Sequence, residues 1–157
     1  MKEIINIILL VILGIIYLVA FIKIISASLN KLITQRNNAI VILFVAAIAC
    51  AGIVIIEISK AITDAFGFFY DNSQIAIAIG FTVLLFIGSW IFSLLLFHTS
   101  FFIVSFITKE DEKVELNKNN IELALIHGTV LVIIAFLIGP ALSQFAVSLI
   151  PYPKLPF

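Results

Sequence analysis

Long apolar runs alternate with short polar segments along this chain. Four runs are long and nearly free of charge, and they cover residues 4–25, 39–58, 75–97 and 121–138. A helix needs about 20 mainly apolar residues to cross a hydrocarbon core of roughly 30 Å. Unpaired backbone groups are costly in lipid and each run is too long for a barrel strand, so the pattern predicts four transmembrane helices.

The runs form two similar halves. In each half an apolar run is followed by a charged connector that ends in Asn-Asn and then by a second apolar run. Asn37 and Asn38 open the second run of the first half, and Asn119 and Asn120 open that of the second half. We therefore expect an all-α integral membrane protein, a single transmembrane domain of two parallel-related helical hairpin repeats. Their predicted bounds are about 4–58 and 75–142, with a C-terminal tail at 143–157.

Two of the runs continue past the membrane. Residues 24–33 and 98–108 keep apolar positions among Ser, Thr and Asn, which predicts interfacial helix extensions. Residues 59–73 are predicted to form an outer connector. Its aromatic cluster at 66–70 is interpreted as an interfacial anchor, with a partner-binding patch as the alternative. Gly139-Pro140 is expected to kink or end the last helix.

Composition supports a membrane protein and narrows its partners. The chain is 63% hydrophobic and 11% charged, with a mean hydropathy of +1.28, whereas soluble domains are roughly half apolar. The net charge is zero and no basic stripe could follow phosphates, so we expect no nucleic-acid partner. Lys and Arg are more numerous in the two Asn-Asn connectors, which places these in the cytoplasm and both termini outside. The connectors hold Lys23, Lys31, Arg36, Lys109, Lys113 and Lys118, against Lys2, Lys60 and Lys154 on the other side.

Small residues concentrate in the second run. Small side chains at a spacing of four let helix backbones approach closely in lipid. We therefore expect the second helix to be the most enclosed, and its close-packing face could also serve a homo-oligomer. Cys50 is the only cysteine, so an intrachain disulfide is impossible, and we interpret it as a packing residue. The predicted packing residues are Ala46, Ala47, Cys50, Ala51 and Gly52.

Two ionisable residues are candidates for a polar site. His127 lies about 9 Å past Ile121 along a helix, inside the hydrocarbon, where an ionisable side chain is a functional hypothesis by default. A neutral histidine bonded to a neighbouring helix is the alternative. We predict no partner for it within its own half, and the position 82 residues earlier is Val45. Glu57 is predicted to reach the outer interface on the close-packed face of its helix.

The four asparagines allow two interpretations. Asn before an apolar run is a typical N-cap, because its side-chain oxygen accepts from an otherwise unpaired backbone amide. Alternatively, Asn37, Asn38, Asn119 and Asn120 line a polar vestibule or contact a partner. No metal-ligand set, catalytic hydroxyl–His–acid arrangement or phosphate-binding glycine loop is visible. We expect no catalytic residues, no metal and no cofactor; an enzyme is disfavoured, with an enzyme subunit or lipid-handling role kept open.

The connectors resemble those of a bacterial inner-membrane family called domain of unknown function 350. The matching stretches are Gln35-Arg36-Asn37-Asn38-Ala39 and Lys118-Asn119-Asn120-Ile121-Glu122, and the charged run 109–115 also fits. The resemblance implies tandem two-helix repeats, location in the bacterial inner membrane and an association with membrane stress. Ile121, where a small residue is more usual, and the proline-containing tail depart from the family pattern.

These features favour a small oligomeric membrane protein that conducts across or perturbs the membrane, in a stress or defence response. The alternative is a non-conducting scaffold that recruits a partner through its cytoplasmic connectors. The expected partners are membrane lipid, further copies of the chain and a cytoplasmic or membrane protein.

Overall fold

A computed structural model describes residues 2–32, 37–109 and 111–150, apart from the side chains of 30–32. Within that part of the chain the structure is α-helical without strands, as predicted. Four of its helices are long and apolar enough to span a membrane. Arg36 and the predicted tail beyond residue 150 lie outside the described residues. The helices are α1 (Lys2–Leu32), α2 (Asn38–Asp71), α3 (Ile75–Thr108), α4 (Glu112–Asn117) and α5 (Ile121–Ser148).

The α2 helix is longer than the second apolar run. It continues through most of the segment predicted as an outer connector, and only a tight turn separates Asp71 from Ile75. The prediction of an aromatic interfacial anchor there was wrong for two of its residues, because Phe66 and Phe69 are buried and pack with Ala78 of α3. Inward-facing apolar positions recur along this whole stretch, so the helix gains packing energy by continuing.

The α5 helix also passes its predicted end. It continues through Pro140 as far as Ser148, within the segment predicted as tail. Proline removes one backbone donor, but the buried face of the helix is unbroken across this point. Gly139 precedes the proline on that face, and Ser143 and Ala146 follow it. Packing against the neighbouring helices therefore holds α5 together where local sequence favours a break.

The centre of the fold is α2, which packs against α1, α3 and α5 and most extensively against α5. Among the four candidate spanning helices, α2 has the largest share of buried residues, which agrees with the prediction that it is the most enclosed. The α2 and α5 helices run parallel and in register, since Gly128 approaches Ala46 and Gly139 approaches Glu57. Consecutive long helices are antiparallel, so the two Asn-Asn connectors lie at one end of the bundle, where hydrogen bonds join them.

Close approach of α2 and α5 depends on glycines of α5. A Cβ added at Gly128 would lie 3.0 Å from the Ala46 Cβ, and one at Gly139 would lie 2.9 Å from the Glu57 Cγ. Four of the predicted packing residues are buried: Ala46, Ala47, Cys50 and Ala51. The prediction that Gly52 is a packing residue was wrong. A Cβ there would have no heavy atom within 4 Å, because Gly52 points away from the face that carries Ala51.

The described parts of both predicted extensions, residues 24–32 and 98–108, are helical, and both have buried inward positions. Along α1, Phe21, Ile25 and Leu29 are almost fully buried in the main core. In the last turns of α3, burial does not follow polarity. Ser100 and Val104 are buried, whereas Phe102 and Phe106 are strongly exposed. The inward side of this α3 segment is the surface on which the candidate site is built.

Candidate functional site

The predicted intramembrane histidine is buried between helices. His127 of α5 is 0% exposed, and its Nε2 lies 2.8 Å from the Ser100 Oγ of α3. The Phe101 ring meets the imidazole edge-on, with ring centroids 3.9 Å apart. One imidazole nitrogen is thus bonded to a spanning helix, in accord with the alternative of a histidine bonded to its neighbour. The other nitrogen faces a different element.

That element is α4, a short helix outside the spanning segments. Asp111 caps it, with its side-chain oxygen accepting from the backbone amides of Lys113 and Val114. Glu112 and Leu116, one turn apart, form its inward face and are buried. The cap therefore sets the helical phase that directs the Glu112 side chain into the bundle.

Glu112 and His127 face each other without a hydrogen bond. The Glu112 Oε2 is 3.7 Å from the His127 Nδ1, which is beyond hydrogen-bond distance. Within the described residues, neither His127 Nδ1 nor Glu112 Oε1 has a hydrogen-bond partner. Buried polar atoms without partners are rare and costly. The pair therefore lacks a hydrogen bond. A small movement of α4 would bring the two side chains close enough to share a proton.

Burial also changes the acidity of the Glu112 side chain. Its carboxyl is 6% exposed, and burial raises its pKa to about 7, with a smaller contribution from the charge of Asp111 and an opposing hydrogen bond from the Ser105 backbone. Low polarity disfavours the charged form of an acid. Glu112 therefore changes charge near neutral pH, where a typical glutamate is fully ionised.

Sequence reasoning missed both partners of His127. The prediction that nothing pairs with it in its own half was wrong, because Ser100 and Glu112 both belong to the second half. Glu112 lies in the charged run 109–115, whose composition is typical of an exposed connector. One signal was available, since Glu112 and Leu116 at a spacing of four place a carboxyl on the apolar side of a helical turn.

The asparagines join the two repeats at the connector end. Asn37 caps α2 by accepting from the Ile40 amide, and its Nδ2 donates to the Leu116 carbonyl at 2.7 Å. In return, the Asn119 Oδ1 accepts from the Ala39 amide at 3.1 Å. The start of α2 is thereby bonded to α4 and to the residue before the cap of α5. We call these bonds the asparagine clamp.

The remaining two asparagines have different environments. Asn120 caps α5 by accepting from the Leu123 amide at 3.0 Å, and its Nδ2 donates to Glu115 of α4. Hydrogen bonds from Lys118 and Asn120 lower the pKa of the Glu115 carboxyl. Asn38 is exposed. Asn119 is exposed as well, but its Oδ1 accepts from the Ala39 amide, so Asn38 is the exposed asparagine outside the clamp.

Glu57 lies at the opposite end of the α2–α5 contact from His127. Its Cγ and Cβ pack over Gly139, and the residue is half-buried. It remains in line with Ala46 on the face that meets α5, as the spacing predicted. The side chain is therefore part of the helix contact as well as a candidate polar site.

A further set of buried polar groups follows one side of α3. It consists of Thr82, Ser89, Ser93 and Ser100. Each hydroxyl donates to a carbonyl one turn earlier in the same helix. The Tyr17 hydroxyl of α1 also lies 2.7 Å from the Ser93 Oγ. These bonds satisfy the polar groups locally and hold α1 against α3.

The residues described here contain no group of three or more His, Cys, Asp or Glu side chains that could hold a metal ion. Cys50 is a free, buried thiol. The arrangement at the connector end is instead a buried acid–imidazole pair held between a surface helix and two spanning helices.

The fold defines an integral membrane protein with four candidate spanning helices, built around a parallel, glycine-dependent α2–α5 pair. The family described as Domain of Unknown Function (DUF350) matches residues 1–142 of the chain. The chain belongs to this family, as its connectors had suggested. Comparisons with curated proteins and with solved structures found no match.

Proposed function

We propose that this protein is a small oligomeric membrane protein that conducts across or perturbs the bilayer, with α4 as a pH-sensitive control element. The observation that carries the proposal is the Glu112–His127 contact, which joins a helix outside the membrane to a spanning helix through two unpartnered polar atoms. A change of charge in this contact acts directly on the packing of α3, α4 and α5.

The direction of the pH effect follows from the acidity of Glu112. Its pKa is about 7 when α4 is docked, against 4.5 for an ordinary glutamate. At acid pH the carboxyl is protonated in both states, and docking carries no ionisation cost. As the pH rises above about 4.5, the undocked carboxyl ionises while the docked one stays protonated. The free energy that favours docking of α4 therefore falls until the docked carboxyl also ionises, near pH 7. The charged and titratable neighbours are His127 on α5 and Asp111, Glu115 and Lys118 around α4; α3 contributes the Ser100 hydroxyl and the Ser105 backbone.

The polar side of α3 does not favour a path for ions or protons through a single chain. Thr82 and Ser89, and again Ser93 and Ser100, are seven residues apart, or roughly 10 Å along the helix. Direct proton transfer between two hydroxyl groups needs their oxygens to lie within hydrogen-bond distance, at about 3 Å. We therefore propose that the conducting or perturbed region lies between copies. The close-packing face of α2 is covered by α5 within one chain, so the copies would meet through apolar side chains that a single chain leaves exposed.

Ion flux from liposomes tests the proposal. In liposomes that hold a trapped fluorescent ion indicator, full-length protein should give faster ion flux at pH 8 than at pH 5.5, because ionised Glu112 loosens α4. Glu112→Gln should remove this pH dependence, since the amide does not titrate. The matched control is Glu115→Gln on the same helix, which should keep the pH dependence because Glu115 is more exposed and bonded to Lys118.

Two results would contradict the proposal. Vesicles that stay sealed at every pH and membrane potential, with oligomeric protein present, would exclude conduction. An unchanged pH dependence in Glu112→Gln would exclude the α4 mechanism while leaving conduction itself intact. Native mass spectrometry of the same samples supplies the copy number.

The scaffold alternative is supported by the outward face of α4. Lys113, Val114 and Asn117 are exposed there, and Val114 is an apolar side chain among polar ones. Asn38→Ala and Val114→Ser remove contact groups without touching the asparagine clamp. Loss of a co-purified partner from these variants, with the oligomer intact, would favour the scaffold. Retention of the partner by both variants would count against it.

The proposed setting is a bacterial inner membrane with both termini outside the cytoplasm. The Lys and Arg distribution supports this orientation, and the four candidate spanning helices support a place in a membrane. Reporter fusions at residues 2 and 118 should lie on opposite sides, with residue 118 in the cytoplasm.

A further inference from the structure

A second polar site lies at the opposite end of the bundle from the asparagine clamp. There, the first turns of α1 meet the last turns of α2 around an open cavity of about 390 Å³. Because both helices are candidate membrane spans, this end lies at a membrane surface, where lipid headgroups are found. The polar residues that line the cavity are Lys2, Glu3, Asn6, Thr63, Asp64 and Asp71.

Asn6 is the unusual residue of this cavity. It is only 7% exposed, and its Nδ2 donates to the Thr63 Oγ1 over a long 3.4 Å. Its Oδ1 is buried and has no hydrogen-bond partner among the described residues. An amide oxygen is an acceptor only. The cavity therefore lacks a hydrogen-bond donor at a position that is expensive to leave unpaired.

The charges of the cavity favour a cationic donor. Lys2 forms an ion pair with Asp71, and in the described part of the chain neither Glu3 nor Asp64 forms one. Carboxylates thus outnumber ammonium groups around Asn6.

We propose that this cavity binds a primary ammonium group, as carried by the ethanolamine headgroup of a phospholipid. The Asn6 Oδ1 has almost no exposed surface, so a small rotation of the amide would bring it within reach of one N–H donor. The other two N–H donors would reach the carboxylates of Glu3 and Asp64. The Lys2 side chain, which lies across Gly67 at the rim, is the cation available to the lipid phosphate. The proposal is independent of conduction and of the Glu112–His127 pair.

A trimethylammonium headgroup is the matched chemical control. Phosphatidylcholine has the same charges as phosphatidylethanolamine, but its nitrogen has no N–H to donate. Full-length protein released from nanodiscs containing equal amounts of both lipids should retain phosphatidylethanolamine preferentially in native mass spectrometry. We expect a preference of about tenfold, the size typical of one hydrogen bond to a charged group.

Two variants assign this preference to the cavity. Asn6→Leu removes the acceptor, and Asp64→Asn removes a carboxylate. Because Asp64 is exposed, its variant keeps the test available if Asn6→Leu does not fold. The control is Glu122→Gln, an exposed carboxylate at the other end of the molecule, which should leave the preference unchanged.

Free ethanolamine distinguishes the two sources of the ammonium group. If millimolar ethanolamine raises the unfolding temperature of lipid-depleted wild-type protein but not of Asp64→Asn, the site recognises the amine alone and a soluble amine is sufficient. If only the lipid stabilises the protein, the headgroup is the ligand. Equal retention of the two lipids by wild type would overturn the proposal, and so would a preference that persists in both cavity variants.

Discussion

The two repeats share one architecture but differ at their ends. Two glycine contacts join α2 and α5, namely Gly128 with Ala46 and Gly139 with Glu57. In each of them the partners are 82 residues apart, which is also the offset between the two Asn-Asn pairs. Equivalent positions therefore face each other across the molecule. The caps break this correspondence, since Asn37 caps α2 whereas Asn120 caps α5.

The difference is also chemical. The second repeat has α4 between its long helices and carries the Glu112–His127 pair, whereas the position equivalent to His127 is Val45, an exposed residue. At the facing positions the larger residue belongs to the first repeat and glycine to the second. Duplicated helices that meet face to face need complementary side chains, so the copies are unequal where they touch. The polar chemistry of the connector end is concentrated in the second repeat.

The largest effect is expected from filling the α2–α5 contact. Gly128→Leu should lower the free energy of unfolding by about 2–3 kcal/mol, because overpacking forces backbone shifts. The control is Gly52→Leu, where the added side chain meets open space. Unfolding in detergent measures both variants. Exchanging the sizes, Ala46→Gly with Gly128→Ala, should recover stability relative to Gly128→Ala alone; no recovery would contradict the complementarity of the repeats.

An intermediate effect is expected from the caps. Asn37→Ala should cost about 1–2 kcal/mol, because it removes the cap of α2 and the donor to the Leu116 carbonyl. Asn120→Ala should cost a similar amount in the second repeat. Asn38→Ala is the neighbouring control and should be close to neutral in the same unfolding measurement. A cost at Asn38 equal to that at Asn37 would mean that the capping register is wrong.

The smallest effect is expected at Asn119, which bonds to the start of α2 but caps no helix. Its φ is 61°, so Asn119→Gly keeps the backbone conformation and loses the acceptor for the Ala39 amide, at about 1 kcal/mol or less. Asn119→Ala should cost more, since alanine disfavours positive φ. Hydrogen exchange at Ala39 should accelerate in both variants. Unchanged exchange would show that the clamp bond contributes little.

Apolar runs and spacing were sufficient to predict the four long helices, the two repeats, the enclosed α2 and the burial of His127, but not the short helix α4. Each depends on a local pattern, namely about 20 apolar residues per span or small residues on one helix face. Helix ends were predicted less well. α2 passes its outer boundary and α5 passes Pro140, because packing by Phe66, Phe69 and Ala146 outweighs local signals for a break.

Sequence by itself determined that this chain is a membrane protein with a duplicated hairpin, because insertion into lipid depends on the length and polarity of each segment. Only the tertiary structure decided which polar groups meet. Glu112 reaches His127 because Asp111 sets the phase of α4 and the asparagine clamp holds α4 beneath the bundle. Asn6 faces its cavity because α1 lies against the end of α2. Such contacts join residues distant in the chain, so their geometry follows from packing rather than from local pattern.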